Sequence, residues 1–337
     1  MANENEQKLV CDETPVEETP KKKLPKGVKI PLFVVGGLVG FLVVVWGGLN
    51  ILKFPIYGDY YSHKKDVCTI PGLDKEPTAQ GITYDEVADC IYTTAYTKKK
   101  AATVYTVIDG KVLTHKLYSG EKEMTGHVGG IATSGTKAYL ADGGRIYTFD
   151  TAKLLNGDVE NVDIGEGLEV CCQSSYVFTD DTYLYVGEFH GYEYVCNHVY
   201  GDNSAVVAKY NLSDFDGTHT ECQPLEVISI CDKVQGFTVT PTGKYVLSTS
   251  YGIASSHFYI YDEACKKTTG KTMFGAPLFV LENPVKDMLA PPMMEDLDIY
   301  KDGTVITLTE SASNKYIFGK FFFANTVLSI DIKYRNK

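Results

Sequence analysis

No Cys-x-x-Cys pair occurs anywhere in the chain, which removes the spacing of a zinc ribbon or a thioredoxin-type redox site. No G-x-S-x-G elbow or phosphate-cradling G-x-x-x-x-G-K-[ST] loop is present, so the usual serine-hydrolase and P-loop signatures are missing. Positive charge is also short: 32 Lys and Arg stand against 43 Asp and Glu, a formal charge of −11. The first 29 residues hold six acids and six bases, so that excess belongs wholly to the remainder of the chain and argues against nucleic acid as a partner. Outside one segment there is no convincing helical periodicity.

That segment, residues 30–52, is uncharged and almost wholly apolar. At about 1.5 Å per residue it is long enough to cross a hydrocarbon layer roughly 30 Å thick. Lys21, Lys22, Lys23, Lys26 and Lys29 crowd its near side and only Lys53 follows it closely, so the positive-inside rule puts the N-terminus in the cytoplasm and the rest outside, at the cell membrane. A cleaved signal peptide is the competing reading; the run exceeds an h-region and lacks an A-x-A-like site, which favours an uncleaved single-pass signal anchor. Gly36 and Gly40 form a G-x-x-x-G pair that would seat a second helix, although glycines are common in membrane helices anyway. Residues 1–29, rich in Glu, Pro, Lys and Thr and without an aromatic, read as a disordered cytoplasmic tail. Residues 53–64 read as a linker, and 65–337 as the folded extracytoplasmic domain.

Eight of the nine cysteines (Cys68, Cys90, Cys171, Cys172, Cys196, Cys222, Cys231 and Cys265) lie beyond the membrane segment. An even number in an oxidising compartment implies up to four disulfides. Cys171-Cys172 reads either as two neighbours bonded to different partners or as a vicinal disulfide with a redox role.

The outer domain repeats itself. QGITYDEVADCIYTTAY from Gln80, GGIATSGTKAYLADGG from Gly129, SSYVFTDDTYLYVGEF from Ser174, QGFTVTPTGKYVLSTSYG from Gln235 and EDLDIYKDGTVITLTES from Glu295 share one plan. Each is a short apolar strand, a turn rich in Asp, Gly or Thr, and a second strand of alternating Tyr, Val, Ile and Leu, the pattern of a β-hairpin. Further strand-like sequence follows each, and the starts recur at roughly 45 to 60 residues, close to one four-stranded propeller blade. The fold class is therefore all-β, a β-propeller of five blades, with six as the alternative if a divergent blade hides between 190 and 235. The last repeat has only three strands, and KDVCTIPGL (65–73) would supply the fourth and close the ring.

In a propeller the innermost strand lines the channel, and its start and the end of the next strand emerge at one face. That rule nominates Gln80, Tyr96, His127, Asp142, Gln173, Glu188, His190, Gln235, Tyr251, Glu295 and Glu310 as a polar funnel. One reading holds Ca²⁺ on Asp142, Glu188, Glu295 and Glu310 with glutamine oxygens assisting, and a hydrolase using His127 or His190 as base. The other holds no metal and recognises a small molecule, glycan or protein through Tyr96, Tyr251 and the amides. The bland alternative is a set of inner-strand groups satisfying one another. His190, Glu193 and His198 are a weaker chelate candidate, and Asn211-Leu212-Ser213 matches a glycosylation sequon.

The Q-G-[IF] openings, GHVGGIA (126–132), DGGRIYTFD and PMMEDLDI…TLTESASNKY together resemble the broad propeller group of strictosidine synthases, gluconolactonase-type lactonases and paraoxonases, and more closely its membrane-anchored or secreted bacterial relatives. The resemblance spans about 65–333. It implies a propeller and, by analogy with its calcium lactonases, acidic ligands on inner strands. Only Glu295 matches such a position; Gln80 and Gln235 stand where a harder ligand is expected.

Overall fold

The computed structural model describes residues 32–316, 319 and 324–332; the tail at 1–29 lies outside them. By internal contacts the chain divides at residues 45 and 46. The first unit carries the start of the helix Leu32–Ile56, whose Val34–Ile56 stretch is long and apolar enough to cross a membrane. In the second unit that helix runs on through Lys53–Ile56, a short helix spans Gly58–His63, and strands follow. Tyr57 and Tyr60 are buried, and the Tyr57 hydroxyl lies 2.9 Å from Ser255 Oγ.

Five sheets form a ring of blades. Blade 1 is Thr78–Asp85, Cys90–Thr97, Lys100–Ile108 and Lys111–Ser119; blade 2 is Gly130–Ser134, Lys137–Asp142, Arg145–Asp150 and Leu168–Glu169. Blade 3 begins with Tyr176–Thr179, Tyr183–Gly187, Ala205–Asn211 and Glu226–Ile230; blade 4 is Val234–Val239, Tyr245–Thr249, Ser256–Tyr261 and Lys286–Ala290. Blade 5 takes Met294–Ile299, Val305–Thr309 and Thr326–Ile330 from the end of the chain and Lys64–Thr69 from its beginning, paired antiparallel as Lys65 opposite Ser329. The five hairpins read from sequence are the inner strand pairs, and the segment from residue 65 closes the ring. No sixth blade hides between 190 and 235: that stretch supplies the outer strands of blade 3.

Local chemistry makes the hairpins. Asp85 accepts the N–H groups of Val87 and Ala88, Asp180 those of Thr182 and Tyr183, and Asp302 that of Thr304, so a carboxylate satisfies the tight turns of blades 1, 3 and 5, and the Thr240 hydroxyl accepts the Lys244 N–H in blade 4. Blades are covered on both faces by neighbours, which explains a strand such as Cys90–Thr97 in which every residue is buried. The core is accordingly five apolar clusters, one in each seam between successive blades. Around the axis each inner strand meets the next, from the blade 1 strand through to the blade 5 strand and back.

Two excursions were not foreseen. The hairpin Lys266–Met273 and Ala276–Leu281, from the strand-like sequence after the fourth repeat, leaves blade 4 and extends blade 3, with Ala276–Leu281 parallel to Glu226–Ile230. Lys266 Nζ, 2.6 Å from Glu226 Oε1 and nearly buried, pins that junction. Likewise Asn161–Asp163, from the blade 2 connection, runs parallel to the outer strand of blade 1.

The disulfides expected from the cysteine count are not formed among the described residues, where all eight thiols are free. Cys68 and Cys90 each lie in an interblade cluster with no second cysteine, whereas Cys171, Cys172 and Cys222 share one cluster and Cys231 and Cys265 another, all as thiols. The structure gives the disulfide argument for an oxidising compartment no support.

Candidate functional site

Three of the nominated residues owe their aim to irregularities in the inner strands. Pairing slips between Ala79 and Ile82, between Val234 and Gly236, and between Met294 and Leu297. A bulge of this kind re-aims a side chain, and Gln80, Gln235 and Glu295 sit in these three. All three line a central cavity of about 580 Å³, with Tyr96, His127, Asp142, Gln173, Tyr251 and Glu310. Nine nominated residues, from all five blades, therefore meet at one concavity.

Glu188 and His190 do not. Glu188, fully buried, faces a second depression of about 370 Å³, where its carboxylate meets His198 Nδ1 at 2.8 Å and accepts the Gln173 N–H at 3.1 Å. His190 Nδ1 accepts the Cys196 N–H at 3.0 Å, and its Nε2 lies 3.9 Å from the Asp232 carboxylate. Side chains alternate between faces along extended chain, so Phe189 rather than Glu188 turns to the funnel. The chelate suggested by His190, Glu193 and His198 is likewise dispersed, since Glu193 lines the funnel and His198 the second depression.

The aromatic side of the funnel is built around Lys315. Its Nζ donates to the Tyr96 hydroxyl at 2.6 Å and lies 4.8 Å from the Tyr316 ring centroid. The Tyr96 ring packs on His127 with centroids 4.0 Å apart, and Tyr194 lies 6.0 Å beyond. Phe189 stacks against Tyr251. Lys315, Tyr316, Tyr194 and Phe189 were missed, and Glu193 was named only for a chelate, because the strand-end rule says nothing of the loops between strands and blades. The sequence did hold one cue, in the NKY that closes TLTESASNKY.

Burial governs the charges. It pushes the Glu295 carboxyl well above its usual range, and neighbouring Glu310 raises it further. Burial likewise lifts Glu310 to about 7, against the opposing pull of Lys315, and Gln80 Nε2 sits 3.4 Å from its carboxylate. The two acids are neighbours across the inner hairpin of blade 5, where the Glu310 N–H donates to the Met293 carbonyl. Burial also raises Asp142, whose Oδ1 accepts the Val128 N–H, and together with Lys315 it lowers His127. Burial thus favours the uncharged forms of these acids and of His127 beside the Lys315 cation, with the Glu295–Glu310 pair able to offer both an O–H and an acceptor oxygen.

This arrangement does not match the expected Ca²⁺ ligand set. Glu188 is in the other depression, Asp142 is engaged by backbone, and Lys315 already stands beside the remaining pair. Among the described residues no three His, Cys, Asp or Glu side chains are grouped to hold a metal.

Two buried carboxyls further along the blade 5 inner strand are structural. Asp296 Oδ2 accepts the Ile82 N–H at 3.3 Å, and Asp298 accepts the Tyr84 N–H at 2.9 Å and the Thr83 hydroxyl, tying blade 5 to blade 1.

Fold and site together define a five-bladed β-propeller with an aromatic and carboxylic funnel, preceded by a helix able to span a membrane. No protein-family model and no curated protein matches the chain. Among solved structures it is similar to Myxococcus xanthus glutaminyl cyclase (7% identity, TM-score 0.42, 73% of this chain and 91% of that one). It is also similar to the PQQ-bound aldose sugar dehydrogenase of Streptomyces coelicolor (14%, 0.42, 73% and 78%). A third is a glucose dehydrogenase-type oxidoreductase of Thermus thermophilus (11%, 0.42, 80% and 99%).

The carboxyl pair gives the site a pH signature. A folded-state value above the unfolded one means the folded protein holds the extra proton, so stability from Glu310 is complete below about 4.5 and is lost as pH rises through about 7. Denaturant unfolding across that window should show a falling stability that Glu310→Gln flattens, by at most about 3 kcal/mol at neutral pH. An unchanged slope in the variant would place the titration elsewhere.

Proposed function

We propose that this chain is a membrane-anchored binding propeller whose funnel holds a neutral, hydroxyl-rich small ligand, a short saccharide. The single observation that supports the reading most is the company kept around the 580 Å³ cavity: ring faces at Tyr194, Tyr251 and Tyr316, amides at Gln80, Gln173 and Gln235, and carboxyls at Glu295, Glu310 and Asp142 whose protonated form burial favours. A sugar presents apolar C–H faces to rings and hydroxyls that both donate and accept, which suits walls of uncharged polar groups better than a strongly ionic ligand would. The volume falls in the range of small-molecule sites, roughly 300–1,000 Å³. The lysine-flanked apolar run supports an anchor with the propeller outside the cytoplasm.

The test is calorimetric titration of the detergent-solubilised chain with neutral mono- and disaccharides. At least one should bind, and Tyr251→Ala should weaken it about tenfold by removing a ring face. Binding of a free peptide or a charged ligand with no saccharide response would overturn the reading.

A further inference from the structure

The second depression holds the vicinal cysteines, and nothing in the funnel uses them. Cys171 and Cys172 both line it, with Glu188 and His198 on its wall. The Tyr210 hydroxyl, itself fully buried, donates to Cys171 Sγ at 3.0 Å while accepting the Cys171 N–H at 3.1 Å, so the sulfur is held in one place. Cys171 is only half-buried; Cys172 is buried, with its Sγ 3.5 Å from the Val186 carbonyl.

We infer that Cys171 and Cys172 form a reactive dithiol site that reduces hydroperoxides of a size the depression admits and closes as a vicinal disulfide. In the first step the Cys171 sulfur attacks the near oxygen of the hydroperoxide. The O–O bond breaks, the departing oxygen takes a proton to leave as water or an alcohol, and Cys171 becomes a sulfenic acid. In the second step Cys172 sulfur displaces that hydroxyl, which leaves as water with the Cys172 proton. Two thiols and one hydroperoxide thus give one disulfide, one alcohol or water, and one water, with two electrons passing from the sulfurs to the peroxide.

Several features single this pair out. A hydrogen bond from Cys172, and a further one from Tyr210, draw the Cys171 thiol below its usual value despite burial. Burial pushes Cys68, Cys90 and Cys222 up to about 11, and Cys196 and Cys231 up to about 12, so those thiols are poor first nucleophiles. Cys172, raised well above its usual value by its hydrogen bond to Cys171 and by burial, is suited only to resolve. Adjacency in sequence supplies the resolving thiol without a conformational search. Cys222 is the competing partner, because it packs in the same cluster.

The experiment uses the full reduced chain in detergent, exposed to a small excess of hydrogen peroxide at neutral pH, then alkylated and digested. Cleavage after Glu169 and Tyr176 releases residues 170–176. That peptide should come off two hydrogens lighter and unalkylated while the other thiols still alkylate. Cys172→Ser should instead leave a sulfenic acid at Cys171 that a 1,3-dione traps, and Tyr210→Phe should slow the reaction about threefold or more by raising the Cys171 thiol. A Cys171–Cys222 link, or a Cys171 that remains alkylatable while other cysteines oxidise, would overturn the proposal.

Discussion

Gly130→Val should lower the unfolding free energy of the propeller by about 3 kcal/mol or more. A Cβ at Gly130 would stand 2.5 Å from the Val177 nitrogen and 2.6 Å from the Tyr176 Cα, which are backbone atoms of the next inner strand. Neither strand can step back, because each is wedged by the following one around a closed ring. Gly236 is caught in the same way, 2.6 Å from the Leu297 nitrogen. Overpacking of a core side chain costs about 1–3 kcal/mol, and backbone that cannot move takes the upper end or beyond. Against a total stability on the order of 5–15 kcal/mol that is a large fraction. Urea unfolding of Gly130→Val beside the surface control Val112→Ala measures it. A variant as stable as the control would mean that the inner strands do not touch as described.

The second large effect concerns closure. A chain beginning at Ile70 should melt about 10 °C or more below one beginning at Tyr57 and should aggregate as it does so. It lacks Lys64–Thr69, so the Thr326–Ile330 strand loses its antiparallel partner and becomes an open edge. It also loses Tyr60, which is 2% exposed against the seam between blades 4 and 5. Ring closure joins the two ends of a long chain, so its loss should be felt in every blade and not in blade 5 alone. Hydrogen exchange on the two chains separates the cases: protection lost only in blade 5 would contradict a cooperative ring.

How much could be read from the amino acids depends on the range of the interactions involved. Period-2 alternation and aspartate-capped turns are local, so the five inner hairpins, including Asp85 and Asp180 at their turns, were legible residue by residue. Closure by the segment from residue 65 was legible for a simpler reason, since one blade was a strand short. The excursions were not, because the parallel pairing of Asn161–Asp163 with blade 1 and of Ala276–Leu281 with blade 3 depends on distant partners that leave no local periodicity. The same division runs through the funnel. Gln80, Gln235 and Glu295 could be placed by where a strand begins, whereas Lys315 and Tyr316 come from a connecting loop whose path has no such rule. Glu188 shows how narrow the margin is: one step along extended chain moved it into the second depression and gave its place to Phe189. The cysteines are a separate matter, because an even count says nothing about which of them meet.

Hydroxyl-radical footprinting of the full chain, with and without a bound saccharide, tests most directly that residues from separate blades act as one binding surface. Protection is expected together at Tyr194, Tyr251 and Tyr316, with Tyr192, which is 89% exposed, reacting equally in both states. Protection confined to a single blade, or falling on Tyr192 instead, would contradict a shared central site.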